Sequence, residues 1–384
     1  MLILFALGCS KMKNPTNNFK QDLELLNKYT KPVVLKANRD LCQLILVPEF
    51  QGRVMTSTSN GLSGMSYGWI NDKLIRSGEI QSHINAYGGE DRFWVGPEGG
   101  QFSVFFKKGD PFDLNHWQTP AVLDTEPFQL DSLSKTHARL SKIMNLVNYS
   151  DYSFRAKVDR KVSIFNSSDI EKNLDISIGD QLYVGYQSEN ILTNLGQTSW
   201  KKNKGLLSIW ILGMFKPSDN TWVIIPYKNK LNLNTSYFGA VPPKKIKITD
   251  QVVLFKGDGK SRSKIGLSAK NALSILGSFD ATKKVLTIVQ FSLSNDKNYV
   301  NSLWEIQKAP YQGDVINSYN DGPTENGKQI GPFYELESSS PARELDPGQN
   351  IKHIHRTYHF EGEFESLNRL SKKLLGFDLA ELDD

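Results

Sequence analysis

In the segment IKHIHRTYHFEG, residues 351–362, His353, His355 and His359 occur at even spacing. Because side chains of a β-strand alternate between its two faces, the three histidines are predicted on one face, with Arg356 on the other. Similar short strand-like segments follow one another along most of the chain, and loops of Asn, Gly, Asp and Pro separate them at roughly regular intervals. This pattern is typical of a large antiparallel β protein.

Helical periodicity occurs at the two ends of the chain, and almost everything between them is predicted as short strands. NNFKQDLELLNKYTKP, residues 17–32, has apolar residues at helical spacing between an Asn cap and a proline, and residues 363–378 repeat the pattern with Gly376 as a stop signal. Strands do not alternate with long helices, which disfavours a doubly wound α/β sheet. We therefore predict an all-β fold, with one large β-sandwich domain over residues 18–384 and short terminal helices, rather than two smaller β domains.

The composition suits a folded protein with no affinity for nucleic acid. The 384 residues include 46 basic and 41 acidic side chains, which give a net charge of +5, and 39% are hydrophobic. The densest basic clusters, residues 201–204 and 244–247, are short and are interpreted as solvated loops. Cys42 lies in an apolar strand-like segment and is predicted to be a small buried core residue.

The first residues resemble a lipoprotein signal. In MLILFALGCSK, residues 1–11, an apolar run ends in Ala-Leu-Gly-Cys, which is similar to the bacterial lipobox whose cysteine becomes lipidated. The first position of that box is usually Leu, and the apolar run is shorter than in a normal signal peptide, so a chance apolar N-terminus is the alternative. Residues 1–17 are predicted to be a signal remnant and polar tether. Lipidation of Cys9 would anchor the protein in the cell envelope, at the outer membrane or in the periplasm.

The segment NAYGGEDRFWVGPEGGQFSVFF, residues 85–106, combines glycines, acids, one arginine and one tryptophan before a strand-like run. Trp94 offers a flat apolar surface for the C–H face of a pyranose, and Trp117 is a second candidate. Glu98 can accept hydrogen bonds from hydroxyls, and Arg92 can hold a carboxylate or fix a neighbouring acid. The segment is predicted to form part of a sugar-binding cleft; the alternative is a structural loop in which Arg92 pairs with Glu90 or Glu98 and no ligand binds.

A second polar segment is NSYNDGP, residues 317–323. Asn and Asp are ordinary turn formers, so a plain turn is one interpretation. Because Asn320 and Asp321 come shortly before Glu335, the other interpretation places them at the rim of the same cleft.

The order of several motifs resembles that of the aldose 1-epimerases, or galactose mutarotases. Residues 47–61 are similar to the early strand pair of that family, and NAYGGEDRFW, residues 85–94, to its His-Gly-Gly motif followed by a tryptophan. VDRKVSIFN (158–166) resembles its central Val-x-Arg strand, ENILTNLG (189–196) its His-x-Tyr-Phe-Asn-Leu strand, and residues 333–360 its closing Leu-Glu-Thr-Gln and Leu-x-Pro-Gly hairpin. The resemblance covers most of the chain and implies the galactose mutarotase-like β supersandwich, with a sugar site on the concave face of one sheet.

The chemistry implied by the resemblance needs a base at the anomeric hydroxyl and an acid at the ring oxygen. The catalytic glutamate of the family falls on Glu335, and Glu337 on the same strand face takes its place if the register slips by two. The two histidines of the family fall on Tyr87 and Asn190, which hydrogen-bond a sugar but are not ready proton donors near pH 7. The resemblance therefore implies a sugar cleft with altered chemistry.

Other residues are candidates for the missing histidines. His116, beside Trp117, and His355 are candidate partners of Glu335 for epimerisation, while Glu98 or Asp321 is a candidate partner for cleavage of a glycoside. The three histidines of the last strand could also bind a metal, but the local sequence lacks the acids of a zinc site. No metal ion or cofactor is predicted.

These observations lead to one hypothesis with several alternatives. The leading hypothesis is a cell-envelope carbohydrate-active protein that acts on or binds a sugar at its anomeric centre, as a divergent relative of aldose 1-epimerases. The alternatives are a non-catalytic carbohydrate-binding lipoprotein, a glycoside-cleaving enzyme that uses Glu335 with a second carboxylate, and a structural envelope protein with a vestigial cleft. The candidate catalytic residues are Glu335, His116 and Glu98, and the candidate substrate-binding residues are Asn85, Tyr87, Arg92, Trp94, Trp117, Asn190, Asn320, Asp321 and His355.

Overall fold

The computed structural model describes residues 18–324 and 327–382, which form mainly β-strands. Neighbouring strands within each sheet run antiparallel. The strands are, in chain order, β1 (Val33–Ala37), β2 (Cys42–Val47), β3 (Arg53–Thr58), β4 (Arg92–Gly96), β5 (Gln129–Leu133), β6 (His137–Val147), β7 (Ser153–Ile164), β8 (Leu182–Asn194), β9 (Ser208–Phe215), β10 (Thr221–Pro226), β11 (Leu233–Asn234), β12 (Ile246–Ile248), β13 (Val252–Lys256), β14 (Ser263–Ser268), β15 (Ile275–Asp280), β16 (Val285–Phe291), β17 (Asp314–Asn320), β18 (Tyr334–Ser339) and β19 (Asn350–Glu361).

The strands form three sheets in the described part of the chain. A ten-stranded sheet has the order β12-β13-β10-β15-β16-β19-β8-β7-β6-β5, a six-stranded sheet has the order β11-β14-β17-β18-β9-β4, and β1-β2-β3 form a small third sheet. In β7, buried residues alternate with exposed or half-buried ones, so one face of this strand packs on the core and the other meets solvent. This is the all-β architecture that the sequence predicts.

The ten-stranded and six-stranded sheets pack face to face through the histidines of β19. His353 Nε2 and His355 Nδ1 both lie 2.8 Å from the hydroxyl of Ser338 in β18, and both imidazoles are fully buried. His359 shares their face, and the half-buried Arg356 lies on the opposite one. Burial lowers the pKa of His353 to about 3 and that of His355 to about 4, so both are neutral structural groups.

The small sheet of β1, β2 and β3 packs against β7 and β8 of the ten-stranded sheet. Arg160 of β7 donates from Nε to the carbonyl oxygen of Gly52 at 3.0 Å, and the Cys42 thiol donates to the carbonyl oxygen of Tyr183 at 3.1 Å. Cys42 is buried, as its apolar sequence context predicts.

Helices are short in the part of the chain that the structure describes. They are α1 (Phe19–Tyr29), α2 (Asp72–Ser77), α3 (Ala121–Asp124), α4 (Ser167–Leu174) and α5 (Phe364–Leu375). Both predicted terminal helices are present: a capping box of Asn18 and Gln21 starts α1, and Gly376, in the left-handed conformation with φ 65°, ends α5. None of the helices within residues 18–324 and 327–382 is long and apolar enough to cross a membrane.

Three segments differ from the sequence prediction. QFSVFFK, residues 101–107, was expected as a strand but forms turns, because its aromatic side chains pack into the core; the Phe105 ring stacks on Trp117 at a centroid distance of 6.1 Å. Conversely, β4 forms within the predicted cleft loop, and β17 includes the predicted turn residues 317–320.

The predicted signal remnant and tether, residues 1–17 with Cys9, lie outside the described residues. Lipid anchoring and a location in the cell envelope therefore stay predictions.

Candidate functional site

One face of the six-stranded sheet is lined with charged and aromatic side chains. In β18, Glu335 and Glu337 lie on this face, while Leu336 between them packs into the core. Glu335 pairs in register with Tyr319 of β17, which in turn pairs with Lys264 of β14. Side chains from separate parts of the sequence thus come together in one cross-strand row.

A glycine pair brings β4 to this face. Gly88 and Gly89 have φ values of 97° and 112°, which other residues rarely adopt. A Cβ atom on Gly88 would lie 2.0 Å from the carbonyl oxygen of Trp69, so the backbone approaches more closely than any side chain allows. The chain then enters β4 with Arg92 and Trp94 on the cleft face.

The cleft has an inner pocket and a wider outer part. The inner pocket has a volume of about 80 Å³ and the outer cleft about 720 Å³. Both are lined by Ile84, Leu114, Trp117, Arg262 and Ile330, so they are continuous. The aromatic residues that wall the inner pocket are Trp94, Trp117, Trp210, Phe238, Trp304, Tyr319 and Phe333.

Two ion pairs form the floor of the inner pocket. Arg92 Nη2 lies 2.8 Å from Glu335 Oε1, and the two side chains are only 3% and 6% exposed. The Arg92 guanidinium also lies over the Trp94 ring, 4.4 Å from its centroid. Lys264 Nζ lies 3.1 Å from Glu337 Oε2, which accepts a second hydrogen bond from Trp210 Nε1 at 2.8 Å.

Burial raises the pKa values of the acids in the pocket. Desolvation raises the pKa of Glu335 to about 8; the neighbouring Glu337 charge adds to this effect, whereas Arg92 and Lys264 oppose it. Desolvation also raises the pKa of Glu98, and no described side chain donates a hydrogen bond to its carboxylate. Glu335 therefore holds a proton near neutral pH although it accepts a hydrogen bond from Arg92.

Several predicted site residues line the cleft. Arg92, Trp94, Glu98, Trp117 and Glu335 line the inner pocket. Arg92 is not paired with a neighbouring acid of its own segment, as the structural alternative required; its partner is Glu335, 243 residues further along the chain.

Asp321 of the second polar segment lines the outer cleft. Its carboxylate accepts hydrogen bonds from the hydroxyl of Tyr319 at 2.6 Å and from the backbone N–H of Gly331 at 2.9 Å. Desolvation raises the pKa of Asp321.

Neither histidine predicted as a partner of Glu335 reaches the cleft. His116 is exposed, with Nδ1 2.7 Å from Asp113 Oδ1. His355 lies between the sheets against Ser338, on the face of β18 opposite to Glu335. The strand alternation that aims Glu335 into the cleft aims Ser338 at the core, which corrects the expectation for His355.

Asn85 and Tyr87 also lie away from the cleft, contrary to expectation. The side-chain amide of Asn85 donates to Asp124 at 2.8 Å, and its backbone N–H binds the same carboxylate. The Tyr87 ring stacks on Phe50 with a centroid distance of 4.0 Å. Both side chains therefore fix the chain ahead of β4.

Asn190 and Asn320 are fully buried and have protein partners instead of a ligand. Arg160 Nη1 donates to Asn190 Oδ1 at 2.6 Å in the core between the sheets. Asn320 donates to the carbonyl oxygen of Ser261 at 2.8 Å, on the core side of β17. Buried amides must find such partners, and their sequence context does not show which ones.

Trp210, Lys264 and His83 line the cleft but were not predicted from the sequence. Trp210 and Lys264 lie in the apolar segments GLLSIWILGMF and SKIGLSAK, and a lysine inside such a strand is the signal that was available for Lys264. His83 is the histidine that lines the cleft; its Nδ1–H donates to the carbonyl oxygen of Trp117 at 2.8 Å. In the neutral imidazole Nε2 is then an acceptor.

No group of three or more His, Cys, Asp or Glu is arranged to hold a metal ion among the described residues.

Solved structures share this fold at low sequence identity. The Slr1438 protein of Synechocystis sp. PCC 6803 has a TM-score of 0.51 and 13% identity, over 87% of this chain and 96% of that one. A "Putative aldose 1-epimerase" of Escherichia coli K12 has a TM-score of 0.50 and 10% identity, over 86% of this chain and 99% of that one. The fold is accordingly the galactose mutarotase-like β-sandwich.

The comparison with curated proteins gives no match. Among protein families, the model described as "Family of unknown function (DUF6786)" matches residues 17–384. Since this match spans nearly the whole chain, the protein belongs to the DUF6786 family.

Proposed function

We propose that the protein binds a carbohydrate in the cleft and transfers protons at its anomeric centre through Glu335 and Glu98. The observation that carries this proposal is a pocket with aromatic walls and two buried carboxyl groups inside it. Tryptophan faces suit the C–H faces of a pyranose, and carboxyl groups suit its hydroxyls.

Unsatisfied polar atoms around the pocket support a ligand that carries hydroxyl groups. Arg92 Nε and Trp117 Nε1 are buried and make no hydrogen bond within the described residues. A buried polar atom without a partner costs about 1–3 kcal/mol. Hydroxyl groups of a bound sugar, or water that they carry in, would supply such partners.

The two carboxyl groups have separable roles in the proposed reaction. Glu98, as carboxylate, takes the proton of the anomeric hydroxyl, while Glu335, protonated because its pKa is raised to about 8, gives its proton to the ring oxygen. The bond between C1 and the ring oxygen then breaks, and the open-chain aldehyde forms. Rotation about the bond between C1 and C2 and the reverse proton transfers yield the other anomer and restore both groups.

A second candidate is a binding protein without catalysis. It is favoured by the ion pairs of the floor, because a carboxylate held by Arg92 or Lys264 also serves as a fixed hydrogen-bond acceptor. Cleavage of a glycoside with Glu335 and Glu98 is a variant of the catalytic proposal, and the distance between the carboxyl groups would set its stereochemical outcome.

The first experiment asks whether a sugar binds at all. A glycan and monosaccharide array probed with protein that lacks residues 1–17, followed by calorimetry on the hits, is expected to identify a carbohydrate ligand. The absence of binding to every neutral and acidic member of the array would contradict the proposed function.

The second experiment separates catalysis from binding. Exchange NMR measures interconversion of the anomers of the identified sugar, and product analysis measures glycoside cleavage, for the wild type, Glu335→Gln and Glu98→Gln. We expect each variant to bind the sugar but to lose about 10²–10⁴-fold in rate, since the amide cannot exchange the proton. Glu189→Gln is the control, because Glu189 pairs with Lys352 on the ten-stranded sheet, away from the cleft.

The outcome decides between the two candidates. If the wild type binds the sugar but catalyses neither reaction, and Glu335→Gln changes affinity by only about 0.5–1.5 kcal/mol, the protein is a binding protein. A Glu335→Gln variant that retains the full wild-type rate would refute the catalytic role of Glu335.

We also propose that Cys9 is lipidated and anchors the protein in the cell envelope. The support is the Ala-Leu-Gly-Cys sequence after an apolar run. Mass spectrometry of protein from the native host is expected to show a diacylglyceryl group on Cys9; an unmodified Cys9 thiol would refute the proposal.

A further inference from the structure

Arg262 differs from the other two cations of the inner pocket. Arg92 and Lys264 are buried, and each donates a hydrogen bond to a carboxyl group, that of Glu335 and that of Glu337 respectively. Arg262 is half-buried, and within residues 18–324 and 327–382 no carboxylate oxygen lies within 4 Å of its guanidinium. Its positive charge is thus left for a ligand to neutralise.

The Arg262 guanidinium is nevertheless held in place. Its Cζ atom lies 4.1 Å from the centroid of the Phe238 ring, and its Nε–H donates to the hydroxyl of Tyr319 at 3.3 Å. Stacking on an aromatic ring and one hydrogen bond restrict the plane of the guanidinium, while its two terminal NH₂ groups make no hydrogen bond to described residues. A planar donor fork is therefore presented at the cleft.

Asp321, which also lines the outer cleft, feels the Arg262 charge but is not within ion-pair distance of it. Asp321 accepts hydrogen bonds from the Tyr319 hydroxyl and from the N–H of Gly331. The Tyr319 hydroxyl thus lies between the two groups: it accepts from Arg262 and donates to Asp321. This arrangement keeps Arg262 and Asp321 as neighbours without an ion pair.

Arg262 also lies where the two parts of the cleft meet. It lines both the inner pocket, with Glu335 and Glu98, and the outer cleft, with Asp321. An anionic substituent bound there would lie at the edge of a sugar ring whose reacting end enters the inner pocket.

We propose that the ligand of the cleft is an acidic sugar whose anionic substituent, foremost the carboxylate of a uronic acid, binds the free terminal NH₂ groups of Arg262. A guanidinium fork matches a carboxylate through two parallel charge-assisted hydrogen bonds, which are shorter and stronger than bonds between neutral groups. This inference rests on the proposed function, since it names the class of sugar that the same cleft takes.

Matched ligands test the inference on the full chain. Calorimetry compares methyl uronosides, in the gluco, galacto and manno series, with the corresponding uronamides and methyl hexosides, which differ only at C6. We expect the acid to bind about 10- to 100-fold more tightly than its amide. Hexose 6-phosphates and 6-sulfates form separate arms, and tighter binding of either than of the uronate would reassign the substituent and overturn the choice of a carboxylate.

Variants of Arg262 link the preference to this residue. Arg262→Met should abolish the preference for the acidic sugar and leave the affinity for the neutral hexoside within about threefold of the wild type. Arg262→Lys should keep only part of the preference for the acidic sugar, because an ammonium group lacks the planar fork of donors. Lys260→Met is the control: it removes the same charge two residues away, where Lys260 is exposed and paired with Asp219.

Each result bears on one of the two proposals. Equal binding of acid and neutral sugars by the wild type, or an acid preference that survives in Arg262→Met, would overturn the inference and leave the proposed function standing. If no sugar of either kind binds, the proposed function fails, and the inference fails with it.

Discussion

Replacing Arg92 by methionine is expected to destabilise the protein by an amount that depends on pH. Methionine keeps an unbranched apolar stem but removes the guanidinium, which lies over the Trp94 ring and 2.8 Å from Glu335, whose side chain is only 6% exposed. Two unit charges about 4 Å apart attract by about 4 kcal/mol at an effective dielectric constant of 20, and breaking buried pairs costs about 3–5 kcal/mol. We therefore expect Arg92→Met to lower the free energy of unfolding by about 3–5 kcal/mol at pH 9, where Glu335 is ionised.

At pH 5 the cost should be smaller. The pKa of Glu335 is raised in the folded protein to about 8, above the 4.5 of an unperturbed glutamate, so folding favours its protonated form. This contribution to stability is fully present below pH 4.5 and is lost as the pH rises through 8, with a slope of up to about 1.4 kcal/mol per pH unit. At pH 5 Arg92→Met removes a hydrogen bond from a charged donor to a neutral acceptor, worth about 1.5–3 kcal/mol, and no longer breaks an ion pair; the contact of the guanidinium with Trp94 is lost at both pH values.

Urea denaturation followed by tryptophan fluorescence measures these values, because Trp94, Trp117 and Trp210 surround the ion pair. Glu335→Gln and the double variant complete a mutant cycle, for which we expect a coupling energy of about 2 kcal/mol at pH 9 and less at pH 5. A cost of Arg92→Met that is the same at both pH values, or a coupling below about 0.5 kcal/mol at pH 9, would refute this account of the floor of the pocket.

Two further predictions concern the cleft wall and the core. Trp94→Ala should weaken binding of the sugar by about 1–3 kcal/mol in calorimetry, whereas Trp222→Ala, on the ten-stranded sheet, should not; equal affinities for both folded variants would mean that Trp94 is structural. His355 is buried with its pKa lowered to about 4, so its contribution to stability is present above the unfolded value of about 6.5 and is lost as the pH falls toward 4. His355→Gln should reduce the slope of unfolding free energy against pH between 4 and 6.5 by up to about 1.4 kcal/mol per unit, and an unchanged slope would contradict this prediction.

Strand alternation made much of the fold predictable. The even spacing of the histidines in β19 placed them on one face, and the Asn cap and Gly376 set the ends of the terminal helices, because these signals act over a few residues. The strand predicted for residues 101–107 does not form, because packing of the Phe105 ring against Trp117 outweighs the local preference for a strand.

The candidate site was predictable only in part. Trp94 and Glu98 stand out in the polar segment 85–106, Glu335 was identified through the resemblance to the aldose 1-epimerases, and all three line one pocket. Their partners do not stand out: Arg92 meets Glu335 across 243 positions of the chain, and Lys264 comes from a strand that sequence alone presents as structural. The side chains of Asn190 and His355 are able to hydrogen-bond a sugar, but the alternation of side chains along their strands places both in the core.

The alternation of residue types, the ends of the terminal helices and the large β fold follow from local backbone geometry and from burial of one strand face, so they can be predicted from the amino-acid sequence. Which charges meet depends on the assembled fold, because strand order and register join residues that are far apart in the chain. The assembled fold also decided how far the pKa values of the acids in the pocket are raised, since desolvation of Glu335 and Glu98 depends on how deeply the assembled sheet and its aromatic walls bury them. Arg262 became a candidate anion receptor for the same reason: whether an arginine is paired is a property of the packed neighbourhood and not of the segment that carries it.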